Sequence, residues 1–286
     1  MKLIEQQHIV YHYNFKQDPL INISEQIEMA GRTCYKSKRP EGKTAEDFVR
    51  MLVKNKHYAM LEHGTVYLHR EVDNTYNTLD KYNRNPYSRY YSFIVDGKLH
   101  EYVTTNLRVL KENDWEYDLK YVCHPTKYHS IRKTVKFICS RAIAQELTRH
   151  RAFSFAMESQ RYCNYSADKF NNEVTYIIPS FFETNLENLE FLYSGDEYSS
   201  VETIFVMSCV KNESHYFELL KTLPPEHARS VLNNSCKTEL VMTGFVEDWK
   251  HLFELRSSQA TTGKPHPDMV KLIDNLISPK FYNETF

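Results

Sequence analysis

The stretch from residue 149 to residue 161 constrains the chain more than any other. It places a short apolar segment between two groups of polar, mostly cationic side chains. A buried segment would not carry such a set, because each buried cation needs a partner. A surface helix would intersperse acidic residues more evenly. The sequence therefore predicts an anion-binding site, formed by Arg149, His150 and Arg151 at one end and by Ser159 and Arg161 at the other.

The composition leaves any phosphate binding to such a local cluster. The chain has 286 residues, enough for one large domain or two small ones. Its formal net charge is -1, so no overall field draws it to nucleic acid or to a membrane. Glycine is scarce, and neither a G-x-G-x-x-G motif nor a P-loop occurs.

The cysteines and the hydropathy pattern indicate a cytoplasmic protein. Six cysteines are scattered without a C-x-x-C pair, which argues against a structural zinc site and against a dense disulfide scaffold. The N-terminal residues lack the apolar core of a signal peptide, and no apolar run approaches the ~20 residues of a membrane span. We therefore expect a reduced, soluble protein with no metal and no membrane partner.

Hydrophobic periodicity divides the chain into helices and strands. Residues 44–55, opened by Thr44, have the helical period, and so do residues 24–36, for which Ser24 is the predicted N-cap. The other predicted helices are 131–148, 198–222, 226–232, 246–257 and 266–278, and the predicted strands are 1–16, 60–70, 174–179 and 236–243.

The predicted helix over residues 131–148 leads into the cationic stretch. Val135 and Ile138 would face the core. Glu146 would lie beside Arg149 and His150, at the i+3 and i+4 positions. The cations would then emerge from a helix C-terminus, where the helix dipole favours positive charge.

Residues 71–132 differ from the rest of the chain, because they are rich in Tyr, Asn and Asp. Asp96-Gly97 separates two β-like runs, which predicts a hairpin. We interpret this segment as an insertion into one domain that spans residues 1–286. His124 and His129 within it are expected to be surface histidines, since no acidic or thiolate partner stands at metal-ligand spacing. The runs of the hairpin are residues 88–95 and 98–105.

The cationic stretch resembles the signature of the flavin-dependent thymidylate synthases. That signature reads R-H-R-x7-S, here Arg149 to Ser159, and x-R-Y follows it as Gln160-Arg161-Tyr162. Four further segments agree with the family in the same order, and only residues 71–132 lie outside the resemblance. These segments are Ala30-Gly31-Arg32-Thr33-Cys34-Tyr35, Leu61-Glu62-His63, Ala228-Arg229-Ser230-Val231-Leu232, and the C-terminal W-x-H-x-x-x-x-R segment with Trp249, His251 and Arg256.

The resemblance implies a reaction and a fold. The reaction is FAD-dependent reductive methylation of dUMP to dTMP, with methylenetetrahydrofolate as carbon donor and NADPH as reductant. Carbon 5 of uracil is a poor nucleophile, and cations that polarise the pyrimidine make a cysteine nucleophile unnecessary. We expect an α+β fold, a single domain in which helices pack on a central, mostly antiparallel sheet. A homotetramer with active sites at subunit interfaces is also implied.

The resemblance also implies roles for individual residues. Arg256 matches the catalytic arginine that polarises the uracil. His63 would approach the flavin from a neighbouring subunit, whereas the Arg149 cluster would come from another chain. The implied FAD contacts are His63, Thr65, Arg149, His150, Arg151, Met157 and His251. The implied dUMP contacts are Glu146, Arg149, Glu158, Ser159, Gln160, Arg161, Arg229 and Arg256.

Three departures from the family pattern affect the flavin contacts most. Met157 stands where the family often has Glu or Gln, and no proline follows Leu232. The family's N-x-R, which touches flavin, is replaced by Phe245-Val246-Glu247. A glutamate there reverses a charge near a diphosphate, so the adenine end of FAD would be bound differently, and residues of the insertion could compensate.

Three alternatives stay open at this point. The first is a flavin-dependent methylase of another pyrimidine nucleotide, such as UMP. The second is a protein that binds nucleic acid through its phosphates, which the near-zero net charge and the lack of a basic stripe disfavour. The third is a degenerate homologue that binds flavin poorly. Cys163, beside the motif, is interpreted as an apolar filler rather than as a nucleophile.

Overall fold

The computed structural model describes residues 1–72, 78–182, 201–261 and 263–282. The strands in these ranges are β1 (Lys2–Ile4), β2 (Gln7–Tyr11), β3 (Thr65–Glu71), β4 (Arg89–Val95), β5 (Lys98–Asn106), β6 (Arg132–Ser140), β7 (Ser154–Met157), β8 (Thr175–Ile177) and β9 (Lys237–Phe245). The helices are α1 (Pro19–Tyr35), α2 (Ala45–Lys54), α3 (Leu107–Glu112), α4 (Arg141–Leu147), α5 (Val201–Leu220), α6 (Pro225–Ala228), α7 (Val246–Arg256), α8 (Pro267–Asp274) and α9 (Pro279–Tyr282).

The described strands form three sheets. The central sheet is antiparallel, with the order β2-β6-β9-β7. A second antiparallel sheet has the order β3-β5-β4, and β1 pairs in parallel with β8. The predicted α+β fold with a central, mostly antiparallel sheet is therefore confirmed.

The central sheet has one apolar face and one largely polar face. On the apolar face, Phe137 and Met242 pack against Trp249 of α7, and all three side chains are fully buried. Truncating a buried tryptophan to alanine costs about 3–5 kcal/mol, so this layer anchors α7 to the sheet. On the other face, α1 packs through Ala30 against Ala156. This second face carries the polar side chains Thr134, Lys136, Glu239 and Thr243.

The prediction of a helix over residues 131–148 is wrong for its first part, which is strand β6. Val135, Phe137 and Cys139 are each fully buried, which is the period of two expected for a strand. Ile138 lies opposite Glu239 on the other face of the sheet, not toward the core. The two residues matched a helical template because they stand three apart, and a short run fits both periods. Only Arg141–Leu147 is helical.

The start of α1 also differs from the prediction. The helix begins at Pro19, and Asp18 caps it by accepting a hydrogen bond from the backbone N–H of Leu20 at 2.8 Å. Ser24 lies inside the helix, where its hydroxyl donates to the carbonyl oxygen of Leu20 at 3.1 Å. The proline decides the start, because its fixed φ suits the first helical position.

Two local predictions are confirmed in detail. Thr44 caps α2, since its hydroxyl oxygen accepts from the Asp47 N–H at 3.2 Å and the Asp47 carboxylate accepts from the Thr44 N–H at 3.0 Å. Asp96 and Gly97 have φ values of 51° and 79° and join β4 to β5. Two consecutive positive φ angles match the right-handed twist of a two-residue hairpin.

Most remaining element predictions are confirmed with shifted ends. Strands 60–70, 174–179 and 236–243 correspond to β3, β8 and β9, and helices 246–257 and 266–278 correspond to α7 and α8. The strand predicted over residues 1–16 is divided into β1 and β2, in different sheets. Helix 226–232 is α6 followed by a 3₁₀ turn. Helix 198–222 is α5, and its first three predicted residues lie outside the described ones.

The segment 71–132 contributes strands to the second sheet. Strand β5 lies between β3 and β4, and Val103 packs with Val66 and Leu52 in a core shared with α1 and α2. The prediction that His129 is a surface residue is wrong. It is buried, its Nε2 lies 3.0 Å from the carbonyl oxygen of Leu68, and burial lowers its pKa to about 4. The interpretation of the segment as an insertion stays a prediction.

Candidate active site

The R-H-R turn is held in place by the end of α4 and by one buried aromatic ring. The backbone N–H groups of Arg149 and His150 donate to the carbonyl oxygens of Glu146 and Leu147 at 3.2 and 3.1 Å. Phe153 closes the turn, and its ring packs edge-on against Trp249 with 4.6 Å between centroids. A Cβ on Gly244 would come within 2.5 Å of the Phe153 ring. Gly244 therefore allows the Phe153 ring to pack on β9, and the ring in turn holds the R-H-R turn against this strand.

Three of the predicted site residues meet where this turn contacts α7. Arg256 donates from Nε to Nε2 of His150 at 3.1 Å and from Nη1 to the carboxylate of Glu146 at 3.0 Å. Burial, and then the nearby Arg256, lower the pKa of His150 to about 4, so its ring is neutral at physiological pH and can accept. The third guanidinium nitrogen, Nη2, donates to no described residue. The arrangement leaves one donor face of Arg256 open to a ligand.

A second cationic group follows β7. The backbone N–H of Ser159 donates to the carbonyl oxygen of Cys34 at 2.9 Å, which fixes this turn against the end of α1. Arg161 pairs with the carboxylate of Glu226 at 2.8 Å, and Arg229 donates to the carbonyl oxygen of Glu226 at 3.2 Å. The structure therefore brings Arg161 and Arg229 together around one residue. An exposed ion pair of this kind is worth about 1 kcal/mol or less, so a phosphate can displace the carboxylate.

The other predicted residues of this stretch have interior side chains. Glu158 is buried and pairs with Lys237 at 2.6 Å, while Gln160 is buried with its amide nitrogen 3.2 Å from the sulfur of Cys236. Met157 is half-buried in β7, opposite Leu240.

The sequence did not suggest the lysines that surround Glu158 and Glu239. Lys36, Lys136 and Lys237 each pair with Glu239. Burial alone would raise the pKa of this carboxyl, but Lys237 and then Lys36 and Lys136 bring it down to about 2. The sequence signal that could have revealed this cluster was the pair of opposite charges on β9, Lys237 and Glu239, which stand two residues apart. The signal is weak because the rest of the strand is largely apolar.

His63 and Thr65 lie in the interior of the described chain, whereas His251 is exposed. Nδ1 of His63 lies 2.9 Å from the hydroxyl of Thr243, and burial followed by the charge of Arg132 lowers the His63 pKa to about 3. The hydroxyl of Thr65 accepts from Arg132 at 3.2 Å. His251 lies 3.6 Å from Glu254. These contacts connect His63 and Thr65 to the polar face of the sheet, and Arg132 also donates to the hydroxyl of Ser154, three residues after Arg151, at 3.5 Å.

Fold and site together define an α+β protein with an arginine-rich cluster between the end of α4 and helix α7. The chain belongs to the thymidylate synthase complementing protein family, because the sequence model of that family matches residues 100–275, more than half of the 286. The resemblance to flavin-dependent thymidylate synthases is thereby confirmed.

Two curated relatives illustrate the match. The flavin-dependent thymidylate synthase of Pyrococcus furiosus is 30% identical over 162 residues, which cover 54% of this chain and 60% of that protein. The enzyme of the same name from Mycobacterium marinum is 23% identical over 241 residues, 82% of this chain and 67% of that protein. The chain thus matches less than two thirds of the Pyrococcus protein's length.

Two solved structures align along most of the chain. A UMP/dUMP methylase PolB from Streptomyces cacaoi, bound with 5-Br dUMP, aligns with a TM-score of 0.43 and 15% identity over 96% of this chain and 90% of that one. Thymidylate Synthase X from Helicobacter pylori, with FAD and dUMP, aligns with a TM-score of 0.39 and 18% identity over 95% and 91%.

Two absences hold for the part of the chain that the structure describes. None of their helices combines the length and the apolar character needed to cross a membrane. No three or more of their His, Cys, Asp and Glu side chains are grouped so that they could hold a metal ion.

Proposed function

We propose that the protein converts dUMP to dTMP by FAD-dependent reductive methylation, with methylenetetrahydrofolate as carbon donor and NADPH as reductant. The observation that carries the proposal is the contact of Arg256 with both Glu146 and His150, which joins two family motifs more than 100 residues apart at one point. Family membership and the names of the curated relatives support the same reaction class.

The residues of the R-H-R turn fit a flavin dinucleotide. Arg149 and Arg151 are exposed, and neither forms an ion pair with a described carboxylate. Guanidinium groups without a counter-charge suit the paired oxygens of a diphosphate. Bound flavin would supply the hydride that reduces the transferred carbon to a methyl group. The chain itself would hold the cofactor through Arg149 and Arg151. The other FAD contacts that the resemblance implies are Met157, His63, Thr65 and His251.

The second cationic group would bind the phosphate of dUMP. Arg161 and Arg229 would exchange their contacts with Glu226 for phosphate oxygens, and the hydroxyl of Ser159 would add a donor. Each such charge-assisted hydrogen bond contributes about 1.5–3 kcal/mol. Glu158 and Gln160, whose side chains are buried, would act by holding this turn in shape.

Arg256 would act on the pyrimidine. Its free Nη2 would donate to a uracil oxygen and favour the anionic form of the ring, in which electron density at carbon 5 is higher. Glu146 would hold the guanidinium in orientation. His150, neutral because its pKa is about 4, would accept from Arg256 without adding a charge that repels it.

The cysteines support a route without a thiolate nucleophile. Burial raises the pKa of every cysteine thiol in the chain, for example to about 11 for Cys163 and to about 12 for Cys236. Protonated thiols are poor nucleophiles at neutral pH. All six are also free of disulfides, in keeping with the cytoplasm as the proposed location.

We further propose a homotetramer with active sites at subunit interfaces. His63 and Thr65 contact Thr243, Gln26 and Arg132 within their own chain rather than the R-H-R turn. By the resemblance, a flavin that touches both groups would be reached from different subunits.

The deciding experiment follows flavin and product together. Photoreduced protein is mixed anaerobically with methylenetetrahydrofolate and with dUMP, UMP or dCMP in turn. We expect flavin reoxidation and dTMP formation in equal amounts with dUMP only. Reoxidation and methylation with UMP instead would establish the alternative substrate. A protein that is colourless, takes up no added flavin and binds no pyrimidine nucleotide would rule out the proposed reaction.

A further inference from the structure

A network of three lysines and two glutamates lies on the polar face of the central sheet, next to the turn 158–161. Its glutamates are almost completely buried, at 1% and 6% exposure. Replacing a buried ion pair by apolar side chains of similar volume is often neutral or stabilising, so a gain in stability does not account for these charges. The members are Lys237 and Glu239 of β9, Lys136 of β6, Lys36 after the end of α1 and Glu158 after the end of β7.

Glu239 is the centre of this network. Its carboxylate pairs with Lys36, with Lys136 at 3.1 Å and with Lys237 at 3.3 Å. Its backbone carbonyl oxygen accepts a hydrogen bond from the backbone N–H of Glu158 at 2.8 Å. One residue of β9 is therefore joined to β6, to the end of α1 and to the first residue of the turn.

Lys36 fixes the end of α1, on which the turn rests. Its backbone is left-handed, with a φ of 48°, and its N–H donates to the carbonyl oxygen of Arg32. A residue other than glycine rarely adopts this conformation. The side chain of Lys36 then reaches Glu239. Because the backbone N–H of Ser159 donates to the carbonyl oxygen of Cys34 at 2.9 Å, the ion pair of Lys36 also determines where that acceptor lies.

Lys237 holds the turn from the interior. Its ammonium group lies 2.6 Å from the carboxylate of Glu158. Burial alone would lower the pKa of Lys237, but Glu158 and Glu239 bring it above its usual value, so the lysine stays charged. Ser159, the next residue, is half-buried, and Arg161 is exposed. The interior contacts therefore fix the turn from one side and leave its donors available to a ligand on the other.

We propose that Lys36, Lys237 and Glu239 are positioning residues for the nucleotide phosphate, because they hold the turn 158–161 in the form that presents its donors to phosphate oxygens. The inference rests on the proposed function, which assigns the dUMP phosphate to this turn. Hydrogen bonds weaken steeply when their distance and angle depart from the optimum, so a loosened turn binds phosphate less well. The phosphate does not react, and its contacts stabilise substrate and transition state alike. Loss of the network should therefore raise KM for dUMP and leave kcat nearly unchanged.

The test compares dUMP with deoxyuridine, which is the same nucleoside without the phosphate. Calorimetry on the flavin-loaded protein gives both Kd values for the wild type, for Lys237→Met and for Glu239→Gln, with melting temperatures as a check on folding. Lys81→Met is the matched control, because it removes the lysine of another buried pair, 2.7 Å from Asp118. We expect the Kd for dUMP to rise about tenfold in the two network variants, as for the loss of one charge-assisted hydrogen bond. The Kd for deoxyuridine should stay the same, and Lys81→Met should bind dUMP like the wild type.

A double variant separates positioning from stability. Glu158→Leu combined with Lys237→Met replaces the buried pair by apolar side chains and should melt at or above the temperature of Lys237→Met, yet still bind dUMP weakly. Wild-type affinity for dUMP in the network variants, or an equal loss for deoxyuridine or in Lys81→Met, overturns the inference even if dTMP is formed. A loss confined to dUMP and to the network variants, in a protein that forms no dTMP, upholds the inference and defeats only the proposed reaction.

Discussion

At the scale of the residue, Arg256 shows how the role of a side chain depends on its position in the fold. Read alone, an arginine near the end of a helix is most often an exposed member of a salt bridge. In the fold it contacts His150, which lies in the stretch that the sequence predicts to bind anions, and Glu146, which lies just before that stretch. The contact with a neutral histidine costs little charge repulsion and leaves Nη2 available.

Replacing Arg256 by alanine should therefore lower kcat/KM for dTMP formation about 10²- to 10³-fold, as for removal of one donor to developing charge. Glu146→Gln should lower it less, because the guanidinium remains but is held less firmly. Steady-state product formation measured with saturating flavin tests both variants. Turnover undiminished in Arg256→Ala would remove that residue from the mechanism.

Buried histidines predict how stability depends on pH. The folded pKa of His129 is about 4, below its usual 6.5. Between these values the unfolded chain binds more protons than the folded one, so the free energy of unfolding falls as the pH falls from 6.5 toward 4. The stabilisation is complete above pH 6.5. The slope that His129 contributes is at most about 1.4 kcal/mol per pH unit.

Urea unfolding at pH 7.5, 6 and 5, at equal protein concentration, measures this slope. We expect His129→Gln to lose stability less steeply on acidification than the wild type. His215→Gln, which changes an exposed histidine of α5, should follow the wild-type slope. Identical slopes for all three proteins would contradict the assignment of His129 as a buried neutral ring.

At the scale of the element, the cap of α2 and the β4–β5 turn followed the sequence, whereas the start of α1 and strand β6 did not. Thr44 with Asp47, and Asp96 with Gly97, act through bonds to their own neighbours, so local residues suffice to predict them. Strand β6 is paired on both sides, and Ile138 is half-buried on the face opposite the core. Its alternation is therefore weak, and pairing with β2 and β9 decides its conformation.

A pair of variants separates stability from the placement of the R-H-R turn. Thr44→Ala removes the cap of α2 and should cost about 1 kcal/mol of unfolding free energy, with kcat unchanged. Gly244→Ala places a Cβ 2.5 Å from the Phe153 ring and should cost about 1–3 kcal/mol. It should also lower kcat, because the ring anchors the turn.

Chemical unfolding and dTMP assays on both variants provide the comparison, and Thr44→Ser should restore the cap. Both variants are assayed at one temperature below their melting points. Equal kcat values for Gly244→Ala and Thr44→Ala would contradict the role of Phe153 in positioning the turn.

At the scale of the whole molecule, the proposed tetramer has a direct test. Light scattering should give four times the chain mass of 34.0 kDa. Mixed oligomers of His63→Ala and Arg149→Ala subunits should recover part of the activity that each variant alone lacks, because some interfaces would then contain both intact residues. A fully active species with the mass of one chain would exclude shared sites.

The sequence alone determined the anion motif, the family to which it belongs and the elements whose residues interact with close neighbours along the chain. Only the tertiary structure decided which distant residues complete the site. Arg256 meets His150 across 106 positions, and Arg89 meets Phe245 through the sheets that carry β4 and β9. The burial of Arg132, which lowers its pKa to about 10, likewise became visible only after folding, since desolvation depends on everything that surrounds a group and not on its neighbours in the chain.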